Sequence, residues 1–257
     1  MPNDKSSIHL GGTARSAGDV KRLNNLGLQF AEIPITNPPK FSDLLNEYKD
    51  LKNRLAIYYV CHGPREGDPN DMRSLEEVYL PKILEILPLM KALDMSLLTL
   101  HLWFDPRFVK EEVITFKIGL LRHIIKNASD LEITVCVENL SETASHMVAP
   151  FTDLPRLNLT LDVGHAQLLT EVNTSYAFIE RFPERIKHVH LHDNRGGDSY
   201  RDDLHMLPGE GIVDFEKVFR KLKAMDYNRT ITLELIPSEI AKCLGHVKEL
   251  LSRSGLE

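Results

Sequence analysis

The sequence predicts an α/β protein built as a single (β/α)8 TIM barrel that spans residues 1–257. Eight short apolar runs of strand length alternate with segments of helical character along the whole chain. No linker-like or low-complexity stretch interrupts this alternation, which indicates one domain. The sequence also lacks the glycine spacing of a dinucleotide-binding turn, so a closed barrel is favoured over a doubly wound open sheet.

The first half of the chain contains four predicted strand–helix pairs. The strands are predicted at residues 8–10, 28–33, 57–62 and 97–101. Gly27 predicts the end of the first helix, and a Pro-Pro pair precedes a second helix at about residues 41–51. The run at residues 74–77 has the Ser-x-x-Glu pattern of a capping box. Asp105, which is followed by proline, predicts the N-cap of the fourth helix.

The second half of the chain repeats this pattern. The strands are predicted at residues 133–138, 157–162, 186–192 and 230–236. Asp214 predicts the N-cap of a helix whose apolar side chains recur at helical spacing from Phe215 to Met225. Pro237 ends the last predicted strand, and an amphipathic helix follows it.

Six of the apolar runs end on a side chain that can bind a metal ion. These residues are His62, His101, Glu138, Asp162, His190 and Glu234. Charged side chains are seldom fully buried unless they are paired or bound to a metal. Parallel strands of one barrel bring their ends to the same mouth, where enzymes of this architecture keep their active sites. Of the other histidines in the seventh strand, we expect His188 in a lower layer of the barrel and His192 either beside a metal ligand or at the rim.

Carboxylates and imidazoles together predict a site for zinc, manganese or a similar divalent ion. The expected ligands are Glu138, Asp162, His190 and Glu234. Each carboxylate alone would suit an N-cap or a salt bridge, and each histidine a hydrogen-bonded position in the core. Two further groups argue against those alternatives: His165 follows Asp162 by three residues, and Asp203 precedes His205 in the loop after the seventh strand.

A set of motifs, in a fixed order, resembles a known family. The motifs are Val60-Cys61-His62, Thr99-Leu100-His101, Val137-Glu138-Asn139, Leu161-Asp162-Val163-Gly164-His165, His188-Val189-His190-Leu191-His192-Asp193, Asp203-Leu204-His205-Met206-Leu207-Pro208-Gly209-Glu210-Gly211 and Glu234. With them the chain is similar to the xylose-isomerase-like barrel superfamily. That superfamily includes sugar and sugar-phosphate isomerases and epimerases, inositol-catabolism enzymes and the endonuclease IV class of apurinic-site nucleases.

The resemblance implies two alternative sites. In the isomerase and epimerase branch, the matches to Glu138, Asp162, His190 and Glu234 hold one ion. The other histidines then surround the substrate, so the expected substrate-binding residues are His62, His101, His165 and His205, with Arg195 added for a phosphate or carboxylate group. In the endonuclease branch, three ions are held by the matches to nine residues: His62, His101, Glu138, Asp162, His165, His190, Asp203, His205 and Glu234. All nine are present in this chain.

We rank a divalent-metal-dependent isomerase or epimerase of a sugar, sugar phosphate or related polyol first. Glu138 and Glu234 would move protons next to a metal-polarised carbonyl. The alternative is an endonuclease IV-like apurinic-site phosphodiesterase with a trinuclear zinc centre. A nuclease must grip a polyanion, yet residues 139–155 and 163–180 contain no Lys or Arg. A barrel that binds a ligand without turnover ranks last, because every predicted ligand is intact.

The charge and amino-acid composition of the chain limit the binding partners that we expect. A net charge of −6 gives no global attraction to nucleic acid or to an anionic membrane. No apolar run approaches the ~20 residues of a membrane-spanning helix, and residues 1–7 show no signal peptide. Three cysteines without metal-type spacing suit a reducing cytoplasm. We therefore expect a cytoplasmic protein with a small sugar-like substrate and no membrane partner, and we expect nucleic acid only under the nuclease alternative.

Overall fold

Eight parallel strands close into a barrel in which every strand pairs with its neighbours in sequence, and β8 pairs with β1. The computed structural model describes residues 8–256. The strands are β1 (His9–Thr13), β2 (Phe30–Pro34), β3 (Tyr58–Arg65), β4 (Leu97–His101), β5 (Thr134–Glu138), β6 (Asn158–Asp162), β7 (Ile186–Leu191) and β8 (Thr230–Leu233). This topology confirms the predicted (β/α)8 barrel. Residues 1–7, where we expect no signal peptide, lie outside the described residues.

Helices follow the strands and cover the outside of the barrel. They are α1 (Ala17–Asn25), α2 (Pro38–Arg54), α3 (Met72–Ser74), α4 (Leu80–Ala92), α5 (Glu111–Ser129), α6 (Val148–Asp153), α7 (Ser175–Arg181), α8 (Phe215–Ala224) and α9 (Pro237–Arg253). A π-helical segment, Leu75–Tyr79, joins α3 to α4. No helix within residues 8–256 has the length and apolar character needed to cross a membrane.

Two predicted helix starts are wrong. The helix that contains Ser74 begins earlier, because the carboxylate of Asp71 accepts the N–H of Ser74 at 3.0 Å and caps it there. Asp105 does not cap a helix, since α5 begins six residues later at Glu111. Instead its buried carboxylate accepts hydrogen bonds from the Arg107 guanidinium and the Ser141 hydroxyl. A buried carboxylate needs such partners, and this demand overrides the local N-cap signal.

Strand lengths also differ from the prediction at both ends of the chain. β1 continues through Gly11, where a Cβ atom would lie 2.3 Å from the Phe30 ring, so glycine is needed for that ring to enter the barrel. β8 ends at Leu233, and Glu234 is therefore the first residue beyond the strand. The Gly27 stop, at φ 75°, and the Asp214 N-cap are confirmed.

The barrel interior changes from apolar to polar toward the carboxyl ends of the strands. The bottom is filled by a small apolar cluster: Phe30, Val60, Leu97 and Cys136. Above it, the Thr99 and Thr160 hydroxyls lie 2.8 Å apart, and His188 contacts the Thr230 hydroxyl at 2.6 Å. His188 thus lies in the predicted lower layer. The mouth of the barrel lies above these residues and carries the candidate site.

Candidate metal centre

The four predicted ligands of a single ion meet around one ring nitrogen. His190 Nδ1 lies 3.4 Å from Glu138 Oε1, 3.7 Å from Asp162 Oδ2 and 3.7 Å from Glu234 Oε2. Ligand atoms at the usual 2.0–2.2 Å from a tetrahedral zinc ion lie about 3.4 Å from one another. The barrel creates this arrangement because Asp162 pairs with His190 in register, and Glu138 and Glu234 come from the ends of β5 and β8.

These residues fit a divalent cation in their chemistry, and the ligand atoms of Glu138, His190 and Glu234 lie within 4.8 Å of one another together with His62. Three carboxylates and an imidazole are ligands for zinc, manganese and similar ions. Glu234 Oε2 is buried without a hydrogen-bond partner among the described residues. A buried carboxylate oxygen left unpaired is costly, and coordination of a cation would remove that cost.

Glu32 is a residue of this site to which the sequence analysis gave no role. It is 1% exposed, and its carboxylate lies 3.1 Å from His190 Nε2 and 3.3 Å from His188 Nε2. A metal-binding histidine usually donates its second ring N–H to such a carboxylate, which fixes the orientation of the ring. Glu32 lies two residues before the end of β2. A charged residue within an apolar strand was the signal in the sequence that could have identified Glu32. It was missed because the six predicted metal-binding residues were chosen at the ends of apolar runs.

Glu138 connects the ion ligands to the other histidines. Its Oε1 lies 3.2 Å from His165 Nδ1, and its Oε2 lies 2.7 Å from His101 Nε2 and 3.3 Å from His62 Nε2. Each oxygen of this carboxylate therefore contacts at least one imidazole. This arrangement suits either substrate hydroxyl groups or further ions beside the first.

A second group of four potential ligands lies next to the first. It consists of His165, His192, Asp203 and His205, whose ligand atoms lie within 4.8 Å of one another. Asp203 Oδ2 is 3.2 Å from His165 Nε2 and 3.1 Å from His205 Nε2. Of the two positions expected for His192, beside a metal ligand or at the rim, it takes the first. Its side chain is completely buried, contacts Asp162 at 3.1 Å and stacks on His205 with ring centres 4.0 Å apart.

The loop after β7 delivers Asp203 and His205 to the site. The buried Asp193 carboxylate accepts the backbone N–H groups of Gly209 and Gly211 at 2.9 Å and of Val213 at 3.1 Å. A Cβ atom on Gly211 would lie 2.3 Å from Asp193 Oδ1, so only glycine allows this approach. His205 has a φ of 44°, which shows that the loop holds it in the sparsely populated left-handed region.

The electrostatics of the site are those of carboxylates balanced by imidazolium groups. Burial alone would raise the pKa of Glu138, but the charges of His101 and His190 hold it well below its usual value. Burial alone would lower the pKa of His62, but the Glu138 carboxylate raises it to about 9. In His205, Asp203 and Glu234 likewise raise the pKa to about 9 against the effect of burial. A divalent ion would replace these protons as the balancing positive charge.

A cavity of about 660 Å³ opens beside the cluster. His101, His165 and Asp203 line its inner end, and Trp103 and Phe108 lie along its wall. The predicted substrate contact Arg195 is exposed on the loop after β7 and is not among the described residues that line this cavity. The structure thus gathers the nine predicted metal and substrate residues at one mouth and leaves Arg195 outside.

Comparison with known proteins agrees with this architecture. Residues 20–250 match the family described as xylose isomerase-like TIM barrel. The chain belongs to this family.

Proteins of similar sequence include an uncharacterised protein and an inosose dehydratase. The uncharacterised protein MJ1311 of Methanocaldococcus jannaschii is 26% identical over 199 residues, which cover 72% of this chain and 67% of that protein. An inosose dehydratase of Geobacillus kaustophilus is 31% identical over 108 residues, 36% of this chain and 34% of the dehydratase. The chain thus matches about a third of the length of that enzyme.

Among solved structures, a D-tagatose 3-epimerase-like protein superposes with a TM-score of 0.84 at 22% identity. The superposition covers 96% of this chain and 98% of that protein. At this identity the likeness shows that the two proteins share a fold.

Proposed function

We propose that this protein is a divalent-metal-dependent epimerase or isomerase of a keto-sugar or related polyol. The observation that carries the proposal is the position of Glu138, Asp162 and Glu234 around His190 Nδ1, all within 3.7 Å. Glu138 contacts His101 and His165, and these two histidines line a cavity large enough for a sugar. The sugar epimerase and inosose dehydratase relatives support the same substrate class.

Glu138, Asp162, His190 and Glu234 would hold the ion, with Glu32 fixing the His190 ring from behind. When bound, the ion would polarise a substrate carbonyl and so make the adjacent C–H bond more acidic. If further ions bind, His62, His101, His165, Asp203 and His205 are the remaining ligands. In the single-ion arrangement these four histidines instead contact substrate hydroxyl groups.

Glu138 and Glu234 are suited to move the proton. Glu138 is the last residue of β5, and Glu234 follows β8. These strands lie three apart in an eight-stranded barrel, so the two carboxylates approach a substrate from different sides. One carboxylate would take the proton from one face of the carbon, and the other would return a proton to the opposite face. Dehydration of a keto-cyclitol begins with the same proton removal, so the inosose dehydratase relatives are consistent with these roles.

One observation favours the endonuclease alternative: all nine residues of the trinuclear pattern converge at one mouth. The cavity opposes it. Its lining includes the carboxyl groups of Glu66, Asp198 and Asp203, and Arg65 is the one Lys or Arg among the described residues that line it. A phosphodiester backbone is bound largely through lysine, arginine and backbone N–H groups. We therefore place the epimerase first.

Solvent-deuterium exchange tests the proposal. The metal-loaded protein should incorporate deuterium from D2O next to the carbonyl of keto-sugars or inososes. Glu138→Gln and Glu234→Gln should each lower epimerisation by about 10²- to 10⁴-fold, because each removes one proton-transferring group. Metal content is measured for both variants, and Asp43→Asn, which changes an exposed carboxylate on α2, serves as the control with unchanged rate. Cleavage of abasic duplex DNA without deuterium uptake would refute the proposal.

A further inference from the structure

One wall of the cavity is apolar and aromatic. Trp103 stacks on Phe108 with ring centres 4.7 Å apart and an angle of 23° between the planes. Leu140, Leu168 and Leu169 also line the cavity. Phe108 is 41% exposed and lines the cavity together with Trp103. The wall therefore offers an apolar surface beside the polar cluster.

Buried polar contacts fix Trp103 in place. Its backbone N–H donates to Glu66 Oε1 at 2.8 Å, and its carbonyl accepts from Lys117 Nζ at 2.8 Å. Its indole N–H donates to the Ser141 hydroxyl at 2.7 Å. Lys117 is completely buried and lies 2.7 Å from Glu66. A buried ion pair is a weak source of stability because both charges lose their hydration. Its clear effect here is to hold Trp103 rigidly in the wall.

The cavity is larger than an unsubstituted sugar requires. A hexose has twelve non-hydrogen atoms, and even at the ~30 Å³ that a water molecule occupies in the liquid it would fill ~360 Å³. The cavity measures about 660 Å³. A hexose held in the cavity against His101, His165 and Asp203 would therefore leave close to half of the volume free, and Trp103 and Phe108 also line this cavity.

The remainder is poorly suited to a phosphate group. Among the described residues that line the cavity, Arg65 is the one Lys or Arg, and it is exposed to solvent. The carboxylates of Glu66, Asp198 and Asp203 line the same cavity. Phosphate sites usually combine several cationic or N–H donors. An uncharged apolar group, in contrast, would stack on aromatic rings that are already in position.

We propose that the substrate is an uncharged keto-sugar that carries an apolar substituent, such as an aryl glycoside, with the substituent stacked on Trp103 and Phe108. This inference rests on the proposed function for the position of the ketone at the metal centre. It names the substrate class that the rest of the cavity accepts, and it excludes sugar phosphates as the preferred substrates.

Trp103 is the single tryptophan of the chain, so its fluorescence reports occupancy of the wall without any turnover. The metal-loaded protein is titrated with a phenyl glycoside that bears a ring ketone, with its methyl counterpart and with a ketose phosphate. We expect the phenyl compound to quench the fluorescence and to bind about tenfold more tightly than the methyl compound. The ketose phosphate should bind more weakly than either.

Phe108→Ala provides the matched test, because its side chain is exposed and its removal leaves the core unchanged. It should weaken phenyl glycoside binding about tenfold and leave methyl glycoside binding unchanged. Leu44→Ala, at a 40% exposed position on the outer helix α2, is the control and should change neither.

Deuterium exchange on the same three compounds separates the two proposals. Equal affinities for the phenyl and methyl compounds, or tighter binding of the phosphate, would overturn the inferred substrate class even if exchange occurs. Phenyl-specific quenching without exchange on any compound would support the ligand class and overturn the proposed reaction.

Discussion

Replacement of Glu32 by glutamine tests how the metal centre is oriented. Glutamine has nearly the same shape as glutamate, so the fully buried position keeps its packing while the charge is lost. Glu32 is ionised, because the charges and hydrogen bonds of His190 and His188 hold its pKa well below the usual value against the effect of burial. Its carboxylate lies 3.1 Å from His190 Nε2 and thereby sets which ring nitrogen faces the ion.

The magnitude follows from that single contact. Loss of a partner that orients a metal-binding histidine weakens metal affinity about 10- to 100-fold, which corresponds to ~1.4–2.8 kcal/mol. A hydrogen bond to a charged group contributes a similar ~1.5–3 kcal/mol. Glutamine can still accept the N–H of His190 through its amide oxygen, so we expect a result near the lower end, about tenfold.

The assay is a competition titration of Zn²⁺ or Mn²⁺ between the protein and a chelating dye. Thr232→Val is the matched control, because it removes a hydroxyl 3.0 Å from His188 Nε2 and leaves the contact between Glu32 and His190 intact. We expect the affinity of this control to be unchanged. A Glu32→Gln variant that binds the ion within twofold of the wild-type affinity would refute the reasoning.

Three further predictions concern protons, the cavity wall and the loop. Neighbouring carboxylates raise the pKa of His190 well above its usual value although burial opposes this, so its proton must leave when an ion binds. Metal affinity should therefore rise about tenfold per pH unit for each proton displaced between pH 6 and pH 8. Calorimetry that shows the same affinity across this range would contradict the prediction. Lys117→Met should lower the free energy of unfolding in urea by about 3–5 kcal/mol, because it leaves Glu66 unpaired. The double variant that also carries Glu66→Gln should recover part of this loss. An equal loss in the single and the double variant would contradict the pairing. Gly211→Ala should displace the loop after β7 and lower metal stoichiometry or affinity. Gly119→Ala is the control and should leave both unchanged, because a Cβ atom there meets nothing within 4 Å. Identical metal binding by the two variants would count against the role of the loop.

Strand periodicity was sufficient to predict the barrel and much of its mouth. In parallel strands with one buried interior, a polar residue at the end of an apolar run has few places to go except the common rim, which is why Glu138 and Asp162 could be placed. Glu32 escaped this logic because two more strand residues follow it, so its link to His190 depends on the register between strands far apart in sequence.

Loop features could not be predicted from the same pattern. The Trp103 wall depends on Lys117, which lies inside α5 and appears in the sequence as an ordinary helix residue. Asp105 carries a clear local N-cap signal, yet a contact with Ser141 thirty-six residues away decides its role. Such contacts are set by tertiary packing, for which one sequence contains no periodic signal.

The most direct test of the metal centre is the position of an ion in crystals of the protein loaded with Mn²⁺ or Zn²⁺. Anomalous diffraction should show a peak about 2.0–2.2 Å from ligand atoms of Glu138, Asp162, His190 and Glu234. A fully loaded protein whose anomalous peaks all lie away from these four side chains would contradict the account.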